Sequence, residues 1–327
     1  MSERDRDDGD LPPSAMAPGP VMVIGGAEDK LRDKVILHRF IELAGGTDAR
    51  IVVISTASSL GDEATELYST LFTGLGAAHV WGLRPVTREY ANDRSMTDIV
   101  EEATGVFLTG GNQLRLSSVV VGTSLGAALI AARERGTVIS GTSAGASAVA
   151  THMMAFGASG ATPKHRMAQM SAGLGLLQGV VVDQHFEQRT RLGRLLAVVA
   201  QSPSLVGLGL DEDTAAIVYA DDTLEVIGRG AVTIVDGRDV VTDAFHTKAH
   251  RPMMVSGAMV HSLPAGYRFD LRSRTLLPSP EPAVHRARRR ETAQRRLRRL
   301  SREIAVEGAD SFSVERRPPR EEREASE

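Results

Sequence analysis

Val138-Ile139-Ser140-Gly141-Thr142-Ser143-Ala144-Gly145-Ala146 runs from an apolar, strand-like segment into a small-residue, helix-compatible one that extends to Met154. Gly141-Thr142-Ser143-Ala144-Gly145, in its middle, fits the strand–turn–helix pattern of a nucleophile elbow. A serine at the apex of such a turn needs neighbours without bulk, because the strand and helix backbones nearly touch. Glycine also tolerates dihedrals that other residues avoid. The helix that follows is expected to point its N-terminal N–H groups at the serine, where an oxyanion can be held. In a chain with 32 glycines the bare string carries little weight. Its position between a buried-type strand and a helix is what marks Ser143 as a candidate nucleophile.

Upstream of the elbow, residues 21–24, 50–55, 79–83 and 105–109 read as short strands. Residues 30–43, 63–75, 96–103 and 114–135 read as helices, the last broken near Gly122. Strands that are apolar throughout and alternate with helices predict an α/β fold with a mainly parallel central sheet flanked by helices. The serine then lies at the carboxyl end of a central strand, where open sheets of this type place their sites. Downstream, residues 157–173 read as an irregular surface flap, 179–183 as a strand and 187–200 as a helix. From Leu205 the pattern becomes β-rich, with turns at Ala220-Asp221-Asp222 and Asp236-Gly237, and predicts antiparallel strands that finish the same domain.

Composition sets outer bounds. The chain of 327 residues has no cysteine, which excludes disulfides, thiolate metal sites and a cysteine nucleophile and fits a reducing compartment. The first residues are Asp-, Arg- and Pro-rich without a signal-peptide core, and no run reaches transmembrane length, so a cytoplasmic protein without membrane contact is expected. The reading is a disordered arm over 1–20, a single α/β catalytic domain over 21–280, and an arginine-rich, partly helical or disordered tail over 281–327. The net charge of −3 conceals nine arginines within residues 286–302. Such a run is either a solvated face or an electrostatic contact with nucleic acid or another polyanion. No aromatic residue interleaves with it, which argues against base stacking.

Gly25-Gly26 and Gly110-Gly111 each follow a strand, but neither continues as a dinucleotide or P-loop fingerprint. Gly110-Gly111-Asn112 is instead placed to offer a backbone N–H to an oxyanion hole, together with that of Ala144. Of the histidines, His185 ends a predicted strand directly before a helix. Two elements ending at one edge of a parallel sheet would bring it to the same rim as Ser143. The carboxylate that orients it is open on spacing alone among Asp183, Asp211, Glu212 and Asp213.

Five motifs occur in order: Gly25-Gly26-Ala27-Glu28-Asp29-Lys30, Phe107-Leu108-Thr109-Gly110-Gly111-Asn112-Gln113, Gly141-Thr142-Ser143-Ala144-Gly145-Ala146, Asp183-Gln184-His185-Phe186 followed by Arg189, Arg191 and Arg194, and Gly207-Leu208-Gly209-Leu210-Asp211-Glu212-Asp213-Thr214. Together, over about residues 21–277, they resemble the cyanophycinases, serine exopeptidases of the family that also contains peptidase E. The resemblance implies a fold like that of class I glutamine amidotransferases and hydrolysis of cyanophycin, a poly-aspartate whose side chains carry arginine, to β-Asp-Arg dipeptides. It implies Ser143 as nucleophile, His185 as base and Glu212 as orienting acid, without metal or organic cofactor. Gln113, Asp183, Gln184, Arg189 and Arg191 would line the substrate pocket, and a homodimer is the usual assembly. A peptidase E-like aspartyl or isoaspartyl dipeptidase, served by the same residues, and a non-catalytic polyanion-binding protein are the alternatives.

Overall fold

A computed structural model describes residues 17–278; the expectations for the tail and for most of the N-terminal arm lie outside the described residues. Strands β1 (Val21–Ile24), β2 (Arg50–Ile54), β3 (His79–Leu83), β4 (Gly105–Leu108) and β5 (Val138–Thr142) run parallel, in the order β1-β5-β4-β2-β3. All but the edge strand β3 are buried along nearly their whole length, which is why β1, β2 and β4 read as apolar runs. Helices α1 (Val35–Leu43) and α2 (Asp62–Gly74) cover one face, where Met22, Ile24 and Val53 meet an aromatic cluster of Phe40, Tyr68, Phe72 and Phe107. Helices α3 (Arg94–Glu102), α4 (Gln113–Val120) and α5 (Ser124–Glu134) cover the other, against Val21, Val23, Val52 and Ile54. Successive strand residues thus serve opposite cores. α4 and α5 meet at a 96° bend around Gly122.

The chain then passes through α6 (Ala144–Ala148), β6 (His152–Gly157), β7 (Ala168–Ala172), β8 (Val180–Gln184), α7 (Leu192–Gln201), β9 (Val206–Leu210), β10 (Thr214–Val218), β11 (Thr223–Gly228) and β12 (Ala231–Asp236). It ends with β13 (Val241–Thr242), β14 (Val255–Ser256), β15 (Met259–Pro264), β16 (Arg268–Asp270) and β17 (Thr275–Leu276). β10, β11, β16 and β17 extend the central sheet from β1 in antiparallel fashion, making nine strands. The parallel arrangement therefore holds for the half that carries the elbow.

Three details depart from the sequence reading. β8 and β9 do not join the central sheet; they form a second one, β15-β12-β9-β8, backed by α7. Both edges of β5 are already taken by β1 and β4, so no slot beside the elbow strand remains. The elbow helix is five residues long rather than eleven: Thr151 N–H donates to Leu177 O (2.8 Å) and its carbonyl accepts Gly173 N–H (3.0 Å), and His152 starts a strand. So short a helix offers individual N–H groups at its start rather than a long helix dipole. The segment read as an irregular flap contains β7, paired with β6, and is tied down at Pro163 and His165 by Met253 and Arg251 (both 3.0 Å).

No single helix among the described residues is long and apolar enough to cross a membrane.

Candidate active site

Ser143 sits between β5 and α6 with φ 51° and ψ −110°, outside the ordinary regions for a non-glycine residue. The turn is possible because Gly141 and Gly145 have no Cβ. On Gly141 a Cβ would lie 2.4 Å from the backbone of Gly145, and on Gly145 it would lie 2.4 Å from Leu108 O. Ser143 N–H is held by Ile24 O (3.0 Å).

Ser143 Oγ lies 2.9 Å from His185 Nε2, and His185 Nδ1 lies 2.7 Å from Glu212 Oε1. Each member is carried by a different strand end: Ser143 by β5, His185 by β8 of the second sheet, Glu212 by the connection from β9 to β10. Gly25 and Gly26, after β1, bind them together. Gly25 O accepts His185 N–H (2.9 Å), and Gly26 O accepts Asp213 N–H (2.9 Å). Gly26, at φ 95°, lies against the imidazole so closely that a Cβ would stand 2.4 Å from His185 Cε1. Gln188 Oε1 accepts Glu212 N–H (3.0 Å).

The three other acids have different occupations. Asp211 accepts the N–H groups of Glu187 and Ala231, and Asp213 accepts that of Asp29. Asp183 stands behind the expected pocket rather than in its wall. Its side chain is fully buried and accepts from Arg194 Nε (2.6 Å), Arg194 Nη2, Arg191 Nη1 (3.2 Å) and its neighbour's N–H. Fully buried and committed to the two arginines, it is not part of the cavity wall, which corrects its expected place in the lining.

Ser143 opens on a cavity of about 370 Å³ whose walls include Gly111, Gln113, Gln184, Arg189, Arg191 and Arg194, and no acidic residue. That is the small end of ordinary ligand pockets, about 300–1,000 Å³. Gln113 is held over it by hydrogen bonds from its Nε2 to Met154 O and Ala155 O. Gly111 has φ 141° and lies so near Ala57 O that a Cβ would stand 2.0 Å away. Ala144 opens α6, where an N–H has no acceptor within its own helix. Arg191 is buried, and its Nε has no hydrogen-bond partner among the described residues. Burial lowers its pKa to about 10, with Arg194 and Arg189 adding to the effect and Asp183 opposing it. Arg194, quoted in the motif without a role, proves to be a wall of the cavity. Its signal was the three-residue step from Arg191, which turns both side chains to one side of a helix start.

Glu28 was also missed. It is buried beneath the elbow and accepts from Thr142 Oγ1 (2.6 Å), Tyr68 OH (2.5 Å) and Lys30 Nζ (2.8 Å), so it fixes the residue before Ser143. Nothing in the local pattern distinguishes it from a surface glutamate. Among the described residues no group of three His, Asp or Glu side chains stands together as a metal site.

The His185 pKa lies below the ordinary histidine value: burial lowers it most, the Glu212 hydrogen bond opposes this, and the charges of Arg189 and Arg191 lower it further. A histidine that must be neutral to accept a proton loses function as pH falls through its pKa. The acid limb of kcat/KM is therefore expected below pH 6.5, the reference value. Removing the exposed cation with Arg189→Ala raises the His185 pKa and moves that limb to higher pH. A pH–rate profile of the two proteins checks the sign, and a limb that stays in place or moves down contradicts it.

A model of Peptidase family S51 matches residues 21–227. A cyanophycinase of Trichormus variabilis is 42% identical over 269 residues, covering 81% of this chain and 89% of that protein. A cyanophycinase of Geminocystis herdmanii is 40% identical over 252 residues, covering 76% and 93%. The crystal structure of a peptidase from an acI-B1 Actinobacterium superposes with a TM-score of 0.56 at 21% identity, covering 76% of this chain and 98% of the other, a likeness of fold.

Proposed function

Because the chain belongs to peptidase family S51 and is a serine-type peptidase, we propose that it degrades cyanophycin as an exopeptidase, releasing β-Asp-Arg dipeptides through an acyl-enzyme. The observation that carries the reading is the hydrogen-bonded line Ser143–His185–Glu212 at the wall of a cavity lined by three arginines. His185 Nε2 takes the Ser143 hydroxyl proton as Oγ attacks the main-chain carbonyl carbon. Glu212 holds the Nδ1–H and stabilises the imidazolium that forms. The N–H groups of Gly111 and Ala144 receive the oxyanion. The tetrahedral intermediate collapses, the amine leaves with the proton from His185, and water, deprotonated by the same ring, hydrolyses the ester of Ser143.

Substrate preference follows from charge. A β-Asp-Arg unit presents free carboxylate, and Arg189 and Arg191 in the cavity wall offer charge-assisted donors. Asp183 serves this pocket indirectly by holding Arg191 and Arg194 in place. The size of the cavity also suits a dipeptide, which favours an aspartyl or isoaspartyl dipeptidase as the second reading.

Purified protein incubated with cyanophycin, and separately with Asp-X and isoaspartyl dipeptides, separates the two. Release of β-Asp-Arg from the polymer, read by mass spectrometry and absent with a serine-less control, is the expected result. Cleavage of dipeptides with the polymer left intact transfers the enzyme to the second reading, and inactivity on all of them overturns both.

A further inference from the structure

A second cavity, of about 530 Å³, adjoins the one at Ser143 and shares Phe156 and Gly157 with it. Its other walls include Lys164, Arg166, Gln169 and His250, and no acidic residue. The chemistry is written into two separate stretches of sequence. Residues 135–182 contain no Asp or Glu, and neither do residues 244–269. The fold brings these stretches together. Lys164 pairs with Pro252 in a β-bridge, His165 N–H donates to Arg251 O (3.0 Å), His165 Nδ1 lies 3.0 Å from Ala249 O, and Met253 N–H donates to Pro163 O (3.0 Å).

Lys164, Arg166, Lys248 and Arg251 are all exposed on the two segments joined here, and Lys164 and Arg166 line the second cavity. None of the four forms an ion pair among the described residues. The carboxylate just before the second stretch, Asp243, accepts Met254 N–H (2.8 Å). In a chain whose overall charge is negative, such an uncompensated basic surface beside a catalytic cavity attracts anions toward it.

We infer that this groove is an extended subsite for a chain carrying repeated carboxylates, holding units of the polymer beyond the two that flank the scissile bond; the inference rests on the proposed function. Each such unit presents an arginine carboxylate, which Lys164 and Arg166 attract, and a guanidinium, which stays in water or lies on Phe156, half-exposed on the boundary of both cavities. A dipeptide fills the first cavity and never reaches the second. The groove therefore separates a polymer from its smallest fragment.

The test uses the full chain carrying Lys164→Gln and Arg166→Gln together. Both residues are exposed and lie apart from the Ser143–His185–Glu212 line. Steady-state kinetics are measured on a soluble fraction of the polymer and on a two-unit fragment of it, at low and high salt. The KM for polymer is expected to rise about tenfold at low salt, with kcat and both constants for the fragment unchanged. The difference should shrink as salt screens the groove. A second measurement needs no turnover: polymer binding by the Ser143→Ala protein should weaken by the same factor when the two glutamines are added. Wild-type cleavage of both substrates with an unchanged polymer KM in the variant overturns the groove and leaves the function standing. Wild-type inactivity on both overturns the function and the groove with it. Loss of RNA binding in the variant while polymer KM stays the same assigns the surface to nucleic acid and overturns the groove as a polymer subsite.

Discussion

Ser143→Ala is expected to lower turnover by about 10⁴- to 10⁶-fold, the scale on which serine hydrolases respond to loss of the nucleophile. The folded state should hardly register the change. The hydroxyl has one side-chain partner, His185 Nε2, and the φ of 51° is imposed by the backbone around it, through Gly141, Gly145 and the bond from Ser143 N–H to Ile24 O. Alanine meets the same backbone restriction as serine at that φ, so the exchange adds little strain. Progress curves and a thermal melt on one preparation check both halves of the expectation. A rate within tenfold of wild type would remove Ser143 from the chemistry, and a melt lowered by many degrees would make loss of activity uninformative about its role.

The second large effect lies behind the pocket. Asp183→Asn keeps the shape of the side chain and removes the charge that Arg191 and Arg194 share. Both guanidiniums are buried, and a buried charge that loses its partner costs about 3–5 kcal/mol. For a body of this size that corresponds to a fall in Tm of about 10 °C. Activity should fall as well, because the arginines that face the cavity lose the group that aims them. Thermal denaturation and KM on the dipeptide, measured together, test this. A Tm within about 2 °C of wild type would mean that the arginines find water once Asp183 is neutral. Replacing Arg194 by Met in the same protein should recover part of the lost stability.

Much of this molecule could be read from its residues, for a physical reason. Strands covered on both faces carry apolar residues at successive positions, so the runs 21–24, 51–54 and 106–108 stand out, while β5 turns to Ser140, Gly141 and Thr142 as it nears the elbow, where the backbone contact at Gly141 and Gly145 leaves only small residues. The break between α4 and α5 was visible at Gly122, which adopts φ 70°. Partition between sheets was not visible. The run 180–182 is as apolar as a central strand, and only the occupied edges of β5 show that it must pair elsewhere. The elbow helix looked longer than it is because Ala144 to Ala150 suits a helix; its end is decided by bonds to residues 173 and 177, far along the chain. Among four neighbouring acids, spacing could not separate a carboxylate facing His185 from ones tied to backbone N–H groups or arginines. That distinction is three-dimensional.

Glu212 stands where the chain leaves the smaller sheet at β9 and enters the larger one at β10, while Ser143 belongs to the larger and His185 to the smaller. The hydrogen-bonded line Ser143–His185–Glu212 therefore spans the seam between the two sheets. Neither layer holds a working site alone. The two layers share one buried core, in which Val21 and Val23 of the larger meet Val182 and Leu208 of the smaller, and misplacement of reacting groups by an ångström costs about a hundredfold in rate. The proposed chemistry is in this sense a vernier on the alignment of the two layers, and Gly25 and Gly26, whose carbonyls take the N–H groups of His185 and Asp213, are the pin that sets its zero.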